Sequence, residues 1–272
     1  MRVVRHFSQA GDQPTVLVPT MGALHPGHTA LIERGAAIAR ERGLAGGCVV
    51  SIFVNPTQFD DPSDLDRYPR ILDEDAAMCE QAGASAVWAP EADEIYPGDE
   101  REKLPPLPLQ ATEPGLEDKY RPGHPTGVCQ VCARLFEIVK PAAAVFGEKD
   151  WQQLVMLTEL SKTIGGPEII GHPTIREPDG LAMASRNRFL TKDGRARARA
   201  VPRAIELARQ ERDPDRAEAV MQDELLRAGL TIDYAVVRDA FTLQRPVGTE
   251  GRVLITARAG SVRLLDNAPW PG

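Results

Sequence analysis

The chain has 272 residues, 42% of them hydrophobic and 26% charged, which suits one large globular domain or two. No run approaches the length of about 18 apolar residues that a membrane-spanning helix needs, and MRVVRHFSQAGDQ lacks an apolar h-region, so the cytoplasm is the expected compartment. A net charge of −7 argues against sequence-independent nucleic-acid binding, which relies on neutralising phosphates.

In chain order, TVLVPT (15–20) reads as a buried strand and HTALIERGAAIARERG (28–43) as an amphipathic helix. AGGCVVSIFV (45–54) is a second strand, followed by a polar loop rich in Asp and Pro. ILDEDAAMCEQAG (71–83) reads as a helix and SAVWAP (85–90) as a third strand. Residues 97–125 are rich in Pro and charge and read as irregular structure. GVCQVCARLFEIVK (127–140) is a helix, AAAVFGE (142–148) a strand, WQQLVMLTELSKTIG (151–165) a helix and EIIGHPTI (168–175) a further strand.

Strands separated by helices imply βαβ units. The expected fold is therefore α/β, a Rossmann-like doubly wound parallel sheet with ligands at the carboxyl ends of its strands. The pattern changes near residue 176, where helices over about 193–212 and 214–229 precede three segments that read as antiparallel strands. We expect a first domain over 1–175 and a smaller C-terminal α+β domain over 176–272 that closes over the site. Charge is uneven across this boundary: residues 1–165 hold 15 basic and 24 acidic groups, and 166–272 hold 17 and 15, with Lys192 the one lysine among the latter. That leaves room for a local anion site on the C-terminal side.

Five segments carry side chains suited to chemistry. PTMGALHPGH (19–28) places His25 and His28 where the first strand gives way to a helix, a position that favours anions. Imidazoles there can donate to a phosphate gaining charge, although a helix cap with a loop histidine explains the same residues. SIFVNPTQF (51–59) ends the second strand with Asn55 and Gln58, suited to a hydroxyl or carboxylate or simply to a turn. FGEKDWQQL (146–154) brings Gly147, Lys149, Asp150 and Gln153 to another strand end, with Lys149 suited to phosphate and Asp150 to ribose. PTIREPDGLAMASRNRFL (173–190) offers Ser185, Arg186 and Arg188 in a turn-rich segment that suits either a triphosphate clamp or a linker. RPGHPTG (121–127) contributes Arg121 and His124 as a lid or as plain surface loop. The CxxC at Cys129 and Cys132 lacks the second ligand pair a zinc site requires, and both residues read as small buried hydrophobes.

Each segment is equivocal alone, but their order is not. With DLDRYPR (64–70), DYAVVRDA (233–240) and RLLDN (263–267), they span almost the whole chain, which resembles the pantothenate synthetase (pantoate–β-alanine ligase) family of the HxGH nucleotidyltransferase superfamily. The resemblance implies that pantoate and ATP form pantoyl adenylate and pyrophosphate, and that β-alanine then displaces AMP. It implies an ATP site of Met21, Gly22, Ala23, Leu24, His25, Pro26, Gly27 and His28, with His28 the proton donor and His25 its partner on the phosphates. Gly147, Glu148, Lys149, Asp150, Ile175, Met183, Ala184, Ser185 and Arg186 complete that site, with Lys149 and Arg186 also catalytic. Gln58 and Gln153 are implied to hold pantoate, with Asn55 beside them, and Gln58 to receive β-alanine. Mg²⁺ is implied to accompany ATP, and a homodimer is implied.

The sequence departs from the family pattern in four places. Ala184 stands where serine is common, Pro125 where an aromatic follows RPGH, and Arg134 where lysine is common, and the first strand is reached early, so that an N-terminal helix is shortened or missing. Two other readings remain in view: a different HxGH nucleotidyltransferase, such as a phosphopantetheine adenylyltransferase, and a catalytically weak nucleotide- or RNA-binding relative of the tRNA synthetases.

Overall fold

The computed structural model describes residues 1–59, 65–247 and 250–271. Asp64, which opens DLDRYPR, and part of the polar loop before it lie outside the described residues. The chain forms two compact units, one of Met1–Glu148 with Gln152–Pro173 and the other of Lys149–Trp151 with Thr174–Gly272.

In the first unit, β1 (Arg2–Val4), β2 (Thr15–Thr20), β3 (Gly47–Ile52), β4 (Ala86–Trp88), β5 (Ala143–Gly147) and β6 (Glu168–His172) form one sheet in the order β1-β4-β3-β2-β5-β6. Every pairing in it is parallel. Both faces of such a sheet are covered, which is why its strands read as unbroken apolar runs rather than alternating ones. Val16, Leu17, Val18, Val50, Val87 and Val145 are fully buried. Helices α1 (Pro26–Glu41), α2 (Leu72–Gln81), α3 (His124–Val139) and α4 (Trp151–Ile164) supply the crossovers. The chain leaves β2 towards β3 and β4 and later returns to β5 on the other side of β2. The sheet order thus reverses between β2 and β5, and a doubly wound sheet binds ligands beyond the carboxyl ends of the strands at such a point.

The second unit has an antiparallel sheet of β7 (Thr231–Arg238), β8 (Glu250–Ala259) and β9 (Val262–Pro271) in that order. Ala204, Ile205, Met221 and Leu225 pack on Val237, Val253 and Ile255 in its core.

Two departures from the sequence reading bear on the layout of the fold, and residues 97–125, read as irregular, also include a short helix at Glu117–Tyr120. β1 pairs with the edge of β4 and precedes TVLVPT, but three residues are too short to show a period. The helix expected over 193–212 is two helices, α5 (Lys192–Ala198) and α6 (Ala200–Ala208), followed by α7 (Pro214–Arg227). Pro202 explains the break: it has no N–H for the carbonyl of Ala198, and its ring crowds that carbonyl. No helix among the described residues is long and apolar enough to cross a membrane.

All four cysteines are free and buried. Burial pushes the thiols of Cys48, Cys79 and Cys129 up to about 12 and that of Cys132 higher still. They are protonated packing groups, not thiolates poised for exchange or metal binding.

Candidate active site

The segment after β2 makes a tight turn before α1 begins. Gly22 and Ala23 both have positive φ, +80° and +52°. An alanine enters this region only when its surroundings hold it there. The holder is Asp75 on α2, whose Oδ2 accepts from the Ala23 N–H (2.9 Å) and whose Oδ1 accepts from the Leu24 N–H (2.8 Å).

The two histidines then cap α1. His25 is the N-cap, and its Nδ1 accepts from the Gly27 N–H at 3.1 Å. The His25 N–H in turn donates to His28 Nδ1 at 3.3 Å. This is the reciprocal arrangement of a capping box, built from two imidazoles rather than a hydroxyl and a carboxylate. The rings lie 4.0 Å apart between centroids and are tilted by 36°. A neutral imidazole that accepts at Nδ1 carries its proton on Nε2. Capping therefore sets both tautomers, and with them the ring nitrogen that donates. The spacing of three residues is the one a capping box requires.

Beyond β3, Asn55 starts a turn of 3₁₀ helix over Pro56–Gln58. Asn55 is 1% exposed and Gln58 9%. The Asn55 Nδ2 donates to Gln58 Oε1 (3.1 Å) and to the Gly127 carbonyl (3.2 Å). Its Oδ1 accepts from the Tyr96 hydroxyl at 2.9 Å and from Thr57. Burial raises that hydroxyl to about 12, so Tyr96 stays protonated and donates. With its carbonyl held by Asn55, Gln58 directs Nε2 at Met21 Sδ, 3.2 Å away. The start of α3 packs against the same turn, where His124 Nδ1 lies 2.8 Å from the Gln58 carbonyl and donates to it. A Cβ on Gly127 would come within 2.3 Å of the Thr57 carbonyl oxygen. His124 and Gly127 thus brace the turn that carries Gln58.

In the second unit, Lys149 Nζ lies 3.4 Å from Asp150 Oδ1, and the Lys149 carbonyl accepts from Asn267 Nδ2 at 2.7 Å. Trp151 donates from Nε1 to the Ala240 carbonyl, and the Arg252 guanidinium lies 3.3 Å from the centre of its ring. Residues 175–183 form a hairpin in which the Met183 N–H donates to the Ile175 carbonyl. Arg176 anchors the hairpin through a two-pronged bond to buried Asp266, at 2.7 and 3.0 Å. Ala184 then caps a 3₁₀ helix over Ser185–Phe189, and Asn187 ties that helix to the Ala182 carbonyl at 3.0 Å.

The expected residues therefore fall into two groups. Met21, Asn55, Gln58 and His124 form one bonded network in the first unit, and the same turn runs from Met21 to His28. Gln153, half-buried near the start of α4, also belongs to the first unit, as do Gly147 and Glu148. Lys149, Asp150, Ile175 and Met183 to Arg186 belong to the second unit. Arg121 lies 4.0 Å from Glu117. Sequence reasoning missed Asp75 and Tyr96. Asp75 is four residues before buried Cys79 and so on the inner face of its helix, a signal hidden by the neighbouring acidic residues.

Comparison with known proteins gives a consistent result. A profile of the pantoate-beta-alanine ligase family matches residues 1–269. A pantothenate synthetase from Rubrobacter xylanophilus is 44% identical over 289 aligned positions, covering 99% of this chain and 97% of its own. One from a Nocardioides species is 43% identical, covering 96% of this chain and 80% of its own. Among solved structures, pantothenate synthetase from Thermus thermophilus matches with a TM-score of 0.87 at 35% identity, covering 98% of this chain and 99% of that one. A pantoate-beta-alanine ligase from Francisella tularensis, complexed with beta-gamma ATP and beta-alanine, matches with a TM-score of 0.77 at 30% identity, over 98% and 97% of the two chains. On its own residues and on these relatives alike, the chain belongs to the pantoate–β-alanine ligase family and is an enzyme of the ligase class.

Proposed function

We propose that this protein joins pantoate to β-alanine by way of a pantoyl adenylate. A carboxylate is a poor electrophile, and adenylation gives it a good leaving group. The pantoate carboxylate attacks the α-phosphorus of ATP, the bond to the β-phosphate oxygen breaks, and pyrophosphate leaves. The amine of β-alanine then attacks the acyl carbon, AMP leaves with the bonding pair, and the amine loses a proton.

The observation that carries this reading is the imidazole pair at the start of α1, in which both Nδ1 atoms accept backbone N–H groups, so that a neutral ring donates from Nε2. Two such donors at a helix N-terminus suit phosphates whose charge grows as the α-phosphorus is attacked. His28 is the proposed proton donor and His25 its partner, in an ATP site that runs over Met21–His28. Gln58 is proposed to hold pantoate and later β-alanine. A thioether is a weak acceptor, so a substrate carboxylate readily replaces Met21 as the partner of Gln58 Nε2. Asn55 acts by fixing the orientation of that amide, and Gln153 binds pantoate from α4. Gly147, Glu148, Lys149, Asp150, Ile175 and Met183 to Arg186 are proposed for ATP, with Lys149 and Arg186 on phosphate and Asp150 on ribose. His124 is proposed to act by bracing the Gln58 turn, with Arg121 in the segment just before α3.

Mg²⁺ is proposed to arrive with the ATP phosphates, as the family resemblance implies. A homodimer is proposed on the family resemblance, and the cytoplasm on the four free thiols, which suit a reducing compartment. The alternative readings are not favoured, because family relatives match across both units.

The test is product stoichiometry. Purified protein supplied with ATP, Mg²⁺, pantoate and β-alanine should release AMP and pyrophosphate in equal amounts with pantothenate. Release of ADP and phosphate instead would contradict an adenylate.

A further inference from the structure

We infer that Asp75 is a positioning residue for adenylation: its buried carboxylate holds the Gly22–Leu24 turn in the shape that sets His25 and His28 at the start of α1. The inference rests on the adenylation reading above. Asp75 is 1% exposed, and both of its oxygens are spent on consecutive backbone N–H groups, those of Ala23 and Leu24. The carboxylate also packs on the preceding residue, since a Cβ on Gly22 would lie 2.8 Å from Asp75 Oδ2. Three successive backbone positions are thus moulded around one side chain.

The path from carboxylate to chemistry is short. Leu24 is bonded to Asp75 and is followed directly by His25, whose N–H donates to His28 Nδ1. If the turn relaxes from its left-handed shape, the N-cap shifts and the cap that sets both tautomers loosens. A carboxylate is suited to this task because it presents acceptors alone. An amide of the same outline must turn an NH₂ towards one of the two N–H groups.

The experiment uses Asp75→Asn, which keeps the volume, with Asp75→Ala beside it. The Asn variant should lower the rate of pantoate-dependent pyrophosphate–ATP exchange about ten- to a hundred-fold. Its KM for pantoate should change much less than the exchange rate, because Asn55, which orients the Gln58 amide, sits on the separate turn after β3. Hydrogen exchange should show lost protection at the Ala23 and Leu24 amides with β2 amides still protected, a pattern that general unfolding does not give. Full protection at those two amides, or a wild-type exchange rate in the folded Asn variant, would overturn the inference. A wild-type protein inactive in the same assay would overturn the adenylation reading instead, and amide protection would still decide whether Asp75 holds the turn.

Discussion

Replacing His28 with alanine should lower adenylate formation by about 10²–10³-fold while leaving a folded protein. Two roles are proposed for His28, and they differ in size. As part of the cap it accepts the His25 N–H, and loss of a capping interaction costs about 1 kcal/mol, a small part of the stability of a chain this long. As a donor from Nε2 to a phosphate in the transition state its removal costs about 3–4 kcal/mol of barrier, and this effect dominates. His28→Gln separates the two. Glutamine at this position of a capping box reaches back to the N-cap N–H, so it should restore the melting temperature but not the imidazole's proton chemistry. Melting temperature and pyrophosphate–ATP exchange are the paired readouts. An alanine variant with most of its exchange rate would remove His28 from the proposed chemistry.

Gly127→Ala should destabilise the protein and weaken pantoate binding together. Two effects oppose each other. Alanine favours a helix over glycine by about 1 kcal/mol, and Gly127 lies in the first turns of α3. Against this, the new Cβ would sit 2.3 Å from the Thr57 carbonyl oxygen and 2.8 Å from Gln58 Cα, both backbone atoms that cannot swing aside. Overpacking of this kind typically costs about 1–3 kcal/mol, so the clash outweighs the propensity gain. Relief requires α3 to move off the turn. That lengthens the Asn55–Gly127 and His124–Gln58 bonds and releases the amide of Gln58. The melting temperature should fall by several degrees, at about 2–4 °C per kcal/mol, and KM for pantoate should rise. An unchanged melting temperature with an unchanged KM would contradict the bracing role of α3.

How much of this was legible in the sequence varies with the range of the interactions involved. TVLVPT coincides with β2 because a buried parallel strand is a continuous apolar run with polar or glycine-rich flanks. The PTMGALHPGH turn was legible as a helix start, since Pro26 and the residues before it carry local backbone preferences. Whether the histidines cap or catalyse was not legible. The structure makes the two readings compatible, because the cap is what places the proton on Nε2.

Asp75 was not legible as a site residue. Asp73, Glu74 and Asp75 all complement a helix N-terminus, and only the placement of α2 against the β2–α1 turn picks out the third. Tyr96 and the bracing by His124 depend in the same way on contacts between segments far apart in sequence. The division of α5 from α6 was a misjudged local signal, since the missing N–H of Pro202 was available from the sequence.

The most direct test of the central claim is pyrophosphate–ATP exchange with Mg²⁺ and pantoate present and β-alanine left out. The adenylate mechanism predicts label moving from pyrophosphate into ATP only when pantoate is added, with AMP released once β-alanine follows. Exchange that is absent, or that proceeds equally well without pantoate, would contradict it.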